Sequence, residues 1–386
     1  MILGRKIRLY PTKEQEQLMW KHIGSCRFIY NYMLDIQIKR YQNGEKYLSE
    51  FDMNKLLTPL KKESEYSWLN EISTTSLQRI CGDLSSAYQN LFSKRAKKPK
   101  FKSKKKSKKV YPTRSDRLWF DEKGFAHIEK IGKVKFKTDY NLPIGTGNKF
   151  NDTRISNVNG KWILSFGLEV ENQDLELNDI SMGIDLGIKE SAIAAYGIDK
   201  IVLHNINKSR QMRLLNKKLK HLQRSVSRKY EANKIGNKYN KTNNIIRVED
   251  EIRKTYARIS NIRNNYIHQS TKSLIMMRPN KIIIEDLNVS GAMRNRHLSK
   301  AIQEQCWYEW RRQLEYKCKF YGIPLIVADR FYPSSKTCYC CKHIKKDLKL
   351  SDRVYKCPEC GFEIDRDFNA ALNLMSYEDY FENSQT

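Results

Sequence analysis

The sequence of 386 residues contains no apolar run close to the roughly 20 residues that cross a bilayer, so no membrane span is predicted. Its opening residues, MILGRKIRLYPTKEQ, lack the apolar core of a secretory signal, and we expect a protein that is not secreted. Nine cysteines are an odd number in a chain too long to need disulfide staples, which favours a reducing compartment, cytosolic or nuclear. Neither a Walker A sequence nor a His-x-His pair occurs, which argues against ATP-driven and rolling-circle chemistry.

Acidic residues are clearly outnumbered by basic ones. The chain has 43 Asp and Glu against 72 Lys and Arg, a net charge of +29, while 40% of its residues are apolar. The apolar content is enough for two or three domains with hydrophobic cores and excludes global disorder. So large an excess of one sign rarely serves solubility alone, and it indicates a polyanionic partner, with nucleic acid as the leading candidate.

Positive charge is concentrated in two places. Residues 94–109, KRAKKPKFKSKKKSKK, hold 11 basic residues in 16 and no acid, which predicts an exposed, mobile loop. A solvated linker and a localisation signal are alternatives, but counterion release favours contact with phosphates. A predicted helix beyond residue 208 has a second basic face. The candidate phosphate-binding residues are Lys97, Lys98, Lys100, Lys104, Lys105, Lys106, Arg213, Lys217, Lys220 and Arg224.

Hydrophobic periodicity divides the chain into a helical module, a strand-rich module and a mixed α/β module. A strand precedes Pro11, and Thr12 with Gln15 forms a capping box at the start of a helix. Further helices are predicted near 26–41 and 75–92, and strands from 110 to 170, with a hairpin turn at Asn159-Gly160.

The second half of the chain begins after an acidic boundary near residues 171–180. It reads as an antiparallel strand pair near 182–196 and then two amphipathic helices that form an antiparallel pair. A strand (KIIIEDL), a helix near 300–321, a strand (PLIVAD) and a last helix over 369–381 follow. This order predicts a mixed α/β fold.

Cys338-x-x-Cys341 and Cys357-x-x-Cys360 form two knuckles that together provide four thiolates for a structural Zn²⁺ ion. The intervening residues are mostly polar, so four buried core cysteines are a poor alternative, and the compartment disfavours disulfides. Cys340 interrupts the pair spacing and is interpreted as a bystander, with His343 as an alternative ligand.

Three acids follow apolar strands or precede a helix. They are Asp185 in MGIDLG, Glu285 in KIIIE, and Asp367 in DRDFNAALNL. Each alone is explained by a strand end or a helix cap, but charges at buried strand ends are costly without a counter-charge. A pair of divalent metal ions would compensate these charges and would supply phosphodiester chemistry. Asp286 and Asp365 are alternatives or supporting groups.

The motifs GIDLG, IIIEDLNVSG, YGIPLIVADRFYPSSKTC, the two cysteine knuckles and DRDFNAALNL, in this order, resemble the TnpB family of transposon-encoded, RNA-guided DNA nucleases related to type V CRISPR effectors. The resemblance spans nearly the whole chain. It implies a RuvC-like RNase H fold in which Asp185, Glu285 and Asp367 are the catalytic acids and hold Mg²⁺ or Mn²⁺. The first knuckle departs from the family pattern, because CYCCK lacks the usual glycine after the second cysteine.

The resemblance also implies a domain layout. A β-barrel wedge domain would contain an inserted helical recognition lobe, and the nuclease domain would contain a helical insertion and a zinc ribbon. The expected ranges are 1–10 and 110–178 for the wedge, 11–95 for the lobe, 94–109 for the basic loop, 181–334 and 363–378 for the nuclease, 206–278 for its insertion, 335–362 for the ribbon and 379–386 for a tail.

From this resemblance we expect an RNA-guided DNA endonuclease that binds a guide RNA and double-stranded target DNA. It would cut beside a short flanking motif, and it would lie in the cytoplasm, associated with the nucleoid when bound to DNA. Two alternatives remain: a regulator that occupies DNA without cutting it, and a transposase that joins strands with the same two-metal chemistry.

Overall fold

The computed structural model describes residues 1–349 and 352–377. The end of the predicted last helix and the predicted tail, at residues 378–386, lie outside the described residues. The chain divides into two compact units, Met1–Glu171 and Asn172–Thr386. Within the described residues, no helix has both the length and the apolar character that a bilayer span requires.

The first unit combines one sheet with a helical segment that lies between its first and second strands in the chain. The helices are α1 (Lys13–Gln42), α2 (Glu50–Lys62) and α3 (Thr74–Phe92), with a 3-10 helix at Ser64–Glu71. The strands are β1 (Ile2–Tyr10), β2 (Val110–Pro112), β3 (Trp119–Phe120), β4 (Phe125–Ile128), β5 (Gly132–Lys137), β6 (Phe150–Val158) and β7 (Lys161–Glu169).

These strands form one antiparallel sheet in the order β2-β6-β7-β1-β5-β4-β3. In the described part of the chain, β2 and β3 are the edges of an open sheet, and no closure into a barrel is seen. The predicted turn at Asn159-Gly160 is confirmed: φ is 52° and 77° at these residues, and β6 and β7 pair on either side. Phe120, Phe150 and Phe166 pack against one another in the core of this sheet.

The capping box at the start of α1 is confirmed. The Gln15 amide donates to Thr12 Oγ1 at 3.3 Å, and the Thr12 amide donates to Gln15 Oε1 at 3.0 Å. The expectation of a separate helix from about residue 26 is wrong, because α1 continues without interruption through Gly24. Helix α2 was not predicted; it contains Pro59 and buries only Met53, Leu57 and Leu60.

The second unit is built on a five-stranded mixed sheet with helices around it. Its strands are β8 (Met182–Asp185), β9 (Ala192–Tyr196), β10 (Asp199–Leu203), β11 (Lys234–Ile235), β12 (Lys238–Tyr239), β13 (Ile282–Glu285), β14 (Leu325–Ala328), β15 (Val354–Lys356) and β16 (Glu363–Asp365). Its helices are α4 (Arg210–Ala232), α5 (Asn243–Ile275), α6 (Val289–Ala292), α7 (Ser299–Gln305), α8 (Trp307–Tyr321) and α9 (Arg366–Met375), with a 3-10 helix at Ile206–Lys208.

The large sheet has the order β10-β9-β8-β13-β14. Strand β9 pairs antiparallel with both β8 and β10, whereas β13 runs parallel to β8 and β14. The sheet is packed mainly by Ile, Leu and Ala side chains of its own strands and of α5, α8 and α9. Because β8, β13 and β14 run parallel to one another, their carboxyl ends meet at one edge of the sheet.

The helical regions of this unit confirm one expectation and correct another. Helices α4 and α5 run antiparallel: Tyr230 Oη donates to Glu249 Oε1 at 2.6 Å near their joining hairpin, and Arg263 Nε donates to Asn207 Oδ1 at 2.7 Å at the other end. The single helix expected near 300–321 is instead two helices, because Cys306 adopts a left-handed conformation with φ 54°. No glycine or proline marks this break in the sequence.

Candidate active site

Two of the predicted acids are brought together by strand register. In the parallel pair β8–β13, Ile284 stands opposite Ile184, so the next residues along each strand, Asp185 and Glu285, reach the same edge of the sheet side by side. Both strands consist otherwise of buried residues, which fix the positions of these ends.

Helix α9 brings the third acid, Asp367, to this edge in its first turn. The helix packs directly on β8 at Gly183, where a Cβ atom would lie 2.1 Å from the carbonyl oxygen of Ala371 and 2.4 Å from the amide nitrogen of Met375. Only glycine fits this contact, so Gly183 permits the close approach that places Asp367 beside the strand ends.

The three acids line one cleft of about 660 Å³. Its walls are cationic: they include Lys189, Lys208, Lys336, Lys349, Arg353 and Arg366. An acidic base surrounded by basic side chains suits a phosphodiester, because the walls attract the backbone while the carboxylates hold cations against it.

Burial and mutual repulsion raise the pKa values of two of the carboxylates, Asp185 and Glu285. Burial raises the pKa of Asp185 well above its ordinary value, and the charges of Glu285 and Asp367 raise it further. Burial also raises the pKa of Glu285, with a further contribution from Asp367, while a hydrogen bond from Ser334 acts in the opposite direction. Like charges held in one place in this way are typical of sites that bind cations.

This donor set fits divalent metal ions. Carboxylate oxygens are the ligands that Mg²⁺ and Mn²⁺ take in proteins. Asp185, Glu285 and Asp367 offer six such oxygens at one edge, and a bound cation would relieve the repulsion that raises the pKa of Asp185. Of the six, Asp367 Oδ1 accepts hydrogen bonds from the Arg366 guanidinium at 3.0 and 3.2 Å.

The two alternative acids have other partners. Asp365 caps α9 by accepting from the Phe368 amide at 2.9 Å, and it pairs with Lys200 at 3.3 Å. Asp286 lies between Arg311 and Arg330, at 2.9 and 2.5 Å, and these guanidinium groups lower its pKa. Sequence reasoning missed Ser334 and Arg366 as neighbours of the acids; Arg366, flanked by Asp365 and Asp367, offered a signal, and Ser334 offered none.

The four cysteines also come together. The Sγ atoms of Cys338, Cys341, Cys357 and Cys360 all lie within 4.8 Å of one another, and two pairs are 3.5 and 3.7 Å apart. Zn–S bonds of about 2.3 Å in a tetrahedron place sulfur atoms about 3.8 Å apart, so the cluster fits a structural Zn²⁺ ion. Cys340 lies outside the cluster, and His343 faces Glu359 at 3.8 Å instead.

Both knuckles have the same backbone geometry. The Lys342 amide donates to the Cys338 carbonyl at 3.0 Å, and the Gly361 amide donates to the Cys357 carbonyl at 3.2 Å. Lys342 and Gly361 have φ values of 62° and 74°, so a lysine holds the left-handed conformation that the second knuckle assigns to glycine. The missing glycine therefore changes the energy of the turn and leaves its shape intact.

The predicted phosphate-binding residues are exposed. The basic loop is attached to α1 near its centre: Asn31 donates to the Lys102 carbonyl at 2.9 Å and accepts from the Lys102 amide at 2.7 Å. On α4, four basic residues recur at helical spacing along one face: Arg213, Lys217, Lys220 and Arg224. In the part of the chain that the structure describes, no carboxylate pairs with these four.

Comparison with known proteins gives one consistent result. Three family profiles match: a helix-turn-helix domain over residues 1–46, a probable transposase over 165–296, and a Cas12f1-like TNB domain over 307–374. A protein of Streptomyces pristinaespiralis named "Putative RNA-guided DNA endonuclease" is 31% identical over 96% of this chain and 88% of its own length. The "Putative RNA-guided DNA endonuclease InsQ" of Escherichia coli is 30% identical over 96% of this chain and 91% of its own length.

Among solved structures, a Cas12f1–sgRNA–target DNA complex contains a chain that is similar in fold. Its TM-score is 0.61 at 13% identity, and the match covers 97% of this chain and 98% of that chain. The motifs that suggested a family are thus accompanied by whole-length similarity to relatives of the same kind. The chain belongs to the TnpB family.

Proposed function

We propose that this protein is an RNA-guided DNA endonuclease with a RuvC-like active site formed by Asp185, Glu285 and Asp367. It would hydrolyse phosphodiester bonds of a guide-matched target beside a short flanking motif. The observation that carries the proposal is the meeting of these three carboxylates in one cation-walled cleft. The names of the two curated relatives support the same activity.

The five-stranded sheet supports a RuvC-like assignment. Its order is third, second, first, fourth and fifth strand along the chain, and only the second strand is antiparallel to the others. This arrangement fits the RNase H fold that the family resemblance implies. We assign residues 181–334 and 363–378 to the nuclease domain, 206–278 to its helical insertion and 335–362 to a zinc ribbon.

The first unit would bind the guide and target. We assign residues 1–10 and 110–178 to a wedge domain, here an open sheet, and residues 11–95 to a recognition lobe. The exposed lysines of 94–109 and the basic face of α4 would contact phosphates. A guide RNA would read sequence by base pairing, and the protein would hold the backbones and A-form shape.

Asp185, Glu285 and Asp367 would hold a pair of Mg²⁺ or Mn²⁺ ions. Bound there, the ions would activate water and stabilise the leaving oxygen of the scissile phosphate. The cationic walls of the cleft would orient the DNA strand against the carboxylates. Four thiolates would hold a separate Zn²⁺ ion with a structural role. The protein would act in the cytoplasm, at the nucleoid when it is bound to DNA.

The test is reconstitution with a reprogrammed guide. RNA that copurifies with the protein is sequenced and removed, and the protein is reconstituted in Mg²⁺ with an RNA whose terminal segment has been changed. Cleavage should move to DNA that matches the new segment, with the same flanking motif required.

Three outcomes would contradict this proposal. RNA-free protein that still cuts its original site would mean direct readout by the protein. Guided binding without cleavage would indicate a regulator, and joined products without free cut ends would indicate a transposase. The Asp185→Asn variant serves as the matched control, because it should bind target and leave it uncut.

A further inference from the structure

Ser334 lies in the segment between β14 and the first cysteine knuckle, and it is only 2% exposed. Its hydroxyl donates a hydrogen bond to Glu285 Oε1 at 2.5 Å. An ionised carboxylate can only accept, so Ser334 is the donor whenever Glu285 is ionised.

The backbone of Ser334 is held in place from α9. Asn373 is fully buried, and its Nδ2 donates to the Ser334 carbonyl at 2.9 Å and to the Thr337 carbonyl at 2.7 Å. Tyr332 Oη donates to the Asn373 carbonyl at 3.0 Å, so contacts run in both directions between the segment and the helix. The hydroxyl is therefore positioned by the same helix that carries Asp367.

Asn369 extends this support towards the cysteine cluster. Its Nδ2 donates to the Thr337 carbonyl at 2.7 Å, and its Oδ1 accepts from the Tyr339 amide at 3.1 Å. Asn369 and Asn373 stand one helical turn apart on α9 and are both fully buried. Together they fix the four residues that separate Ser334 from Tyr339.

Glu285 needs such support because it is a partly buried carboxylate beside two others. With Oε1 engaged by Ser334, the carboxylate is restrained in rotation, and Oε2 is reserved for another partner. A hydrogen bond to one oxygen of a ligating carboxylate is a general way in which proteins orient the group and tune its affinity for a metal ion.

We propose that Ser334 is a positioning residue that orients Glu285 for divalent metal binding, and that α9 sets its place through Asn373. The proposal deepens the proposed function and rests on it for the role of Glu285 as a metal ligand. Ser334 would contact neither the metal ion nor the DNA.

The test compares Ser334→Ala and Ser334→Thr with Ser181→Ala as a matched control. Ser181 also donates its hydroxyl to a side chain, Asn280 Oδ1 at 3.0 Å, but it precedes β8 at the opposite end from Asp185. Mn²⁺ binding to the RNA-bound protein is measured by electron paramagnetic resonance, and DNA cleavage is measured against Mg²⁺ concentration.

We expect Ser334→Ala to weaken Mn²⁺ binding by about 10-fold, within the 10–100-fold range typical of lost support to a ligand. Cleavage should recover as Mg²⁺ is raised, while target binding and the melting temperature stay near those of Ser181→Ala. Ser334→Thr retains a hydroxyl and should restore most of the affinity.

Unchanged Mn²⁺ affinity in Ser334→Ala would overturn the proposal, as would a loss of cleavage that saturating Mg²⁺ does not reduce. Failure of the proposed function is separable from failure of this inference. Absence of cleavage in the wild-type complex would remove the nuclease assignment, while the Mn²⁺ titration would still report whether Ser334 supports a metal site.

Discussion

The carboxylate cluster and the cysteine cluster solve the same electrostatic problem in different ways. Each gathers three or four side chains that would be anionic with a metal ion bound between them. The cysteines come from two knuckles within 23 residues of chain, and each knuckle forms its own turn. The acids come from two strands and a helix, and the first and last of them, Asp185 and Asp367, are 182 residues apart in sequence. A local site needs its ion to fold, whereas a distant one is assembled by a core that already exists.

The two clusters differ in how far their folding would depend on a metal ion. Around the four cysteines, the described residues form a small hydrophobic cluster of Cys338, Tyr355 and Cys357, with Leu348, Phe362 and Ile364 packed against it. We therefore expect the stability of this region to depend on a bound metal ion. Asp185 and Glu285 end strands that are packed by a continuous hydrophobic cluster, and Asp367 lies on α9, which packs on β8. We therefore expect the sheet to fold without an ion. Loss of the metal ion should unfold the region around the four cysteines. At the three acids it should remove only the cleavage activity.

The largest expected effect is at the ribbon. Cys357→Ser should release about one Zn²⁺ per chain and unfold residues 335–362, because structural zinc sites contribute roughly 10–16 kcal/mol of apparent binding energy coupled to folding. Zinc content by atomic emission and protease sensitivity of the ribbon measure this. Cys340→Ser, at an exposed cysteine outside the cluster, should retain zinc. Full zinc occupancy in Cys357→Ser would mean that Cys357 is not a required zinc ligand.

The next effect is at the acids. Asp367→Asn should lower the cleavage rate by about 10³-fold or more, roughly 4 kcal/mol of transition-state stabilisation, without lowering the melting temperature. Asp365→Asn is the matched control two residues away, because asparagine caps helices as well as aspartate does and should leave cleavage within a few-fold. Equal losses of cleavage in both variants, with metal lost only from Asp365→Asn, would mean that Asp365 is the metal ligand.

Lys317 is a buried cation whose hydrogen bonds, within the described residues, go to uncharged groups. Lys317 is 4% exposed, and its Nζ donates to the His268 carbonyl at 2.7 Å and to Thr271 Oγ1 at 2.6 Å. Burial, followed by the charges of Lys272 and Arg312, lowers the pKa of Lys317 from 10.5 to about 8. The unfolded chain therefore binds one more proton than the native chain between these two pH values.

Stability should consequently rise with pH across that window, by about 3 kcal/mol in total at this one site. The measurement is the free energy of unfolding in urea at pH 7 to 10.5, for the wild type and for Lys317→Met. The free energy of unfolding of Lys317→Met minus that of the wild type should fall as pH rises through 8, because only the wild type gains stability. A difference that is independent of pH would show that Lys317 keeps an ordinary pKa.

The smallest effect concerns the two knuckles. Lys342→Gly should stabilise the zinc-loaded ribbon by about 0.5–1 kcal/mol, since a left-handed lysine costs roughly 1–2 kcal/mol and part of the gain is offset by the lost contact of its ammonium with the Tyr339 ring. Gly361→Ala should destabilise by a similar amount, because a Cβ there meets no atom within 4 Å and only backbone strain is added. Resistance of bound zinc to a chelator reports both, and opposite signs are required.

Much of this architecture was accessible from sequence because local patterns carried it. The spacing of four cysteines predicts their cluster, and apolar strands ending in Asp185 and Glu285 predict their shared edge. The break at Cys306 was not accessible, since a left-handed cysteine has no sequence signal, and the continuity of α1 through Gly24 depends on tertiary packing that propensity does not report. Ser334 was missed for the same reason: its role comes from a contact across 49 residues.

The position of α9 in chain order has a consequence for biosynthesis. Asp185 and Glu285 leave the ribosome well before Asp367, and the cysteine knuckles emerge between Glu285 and Asp367. Until α9 emerges, the face of β8 at Gly183 has no helix against it, and a nascent chain holds two carboxylates without the third. Assembly of the three acids is therefore delayed during translation, because Asp367 is synthesised only after the cysteine knuckles.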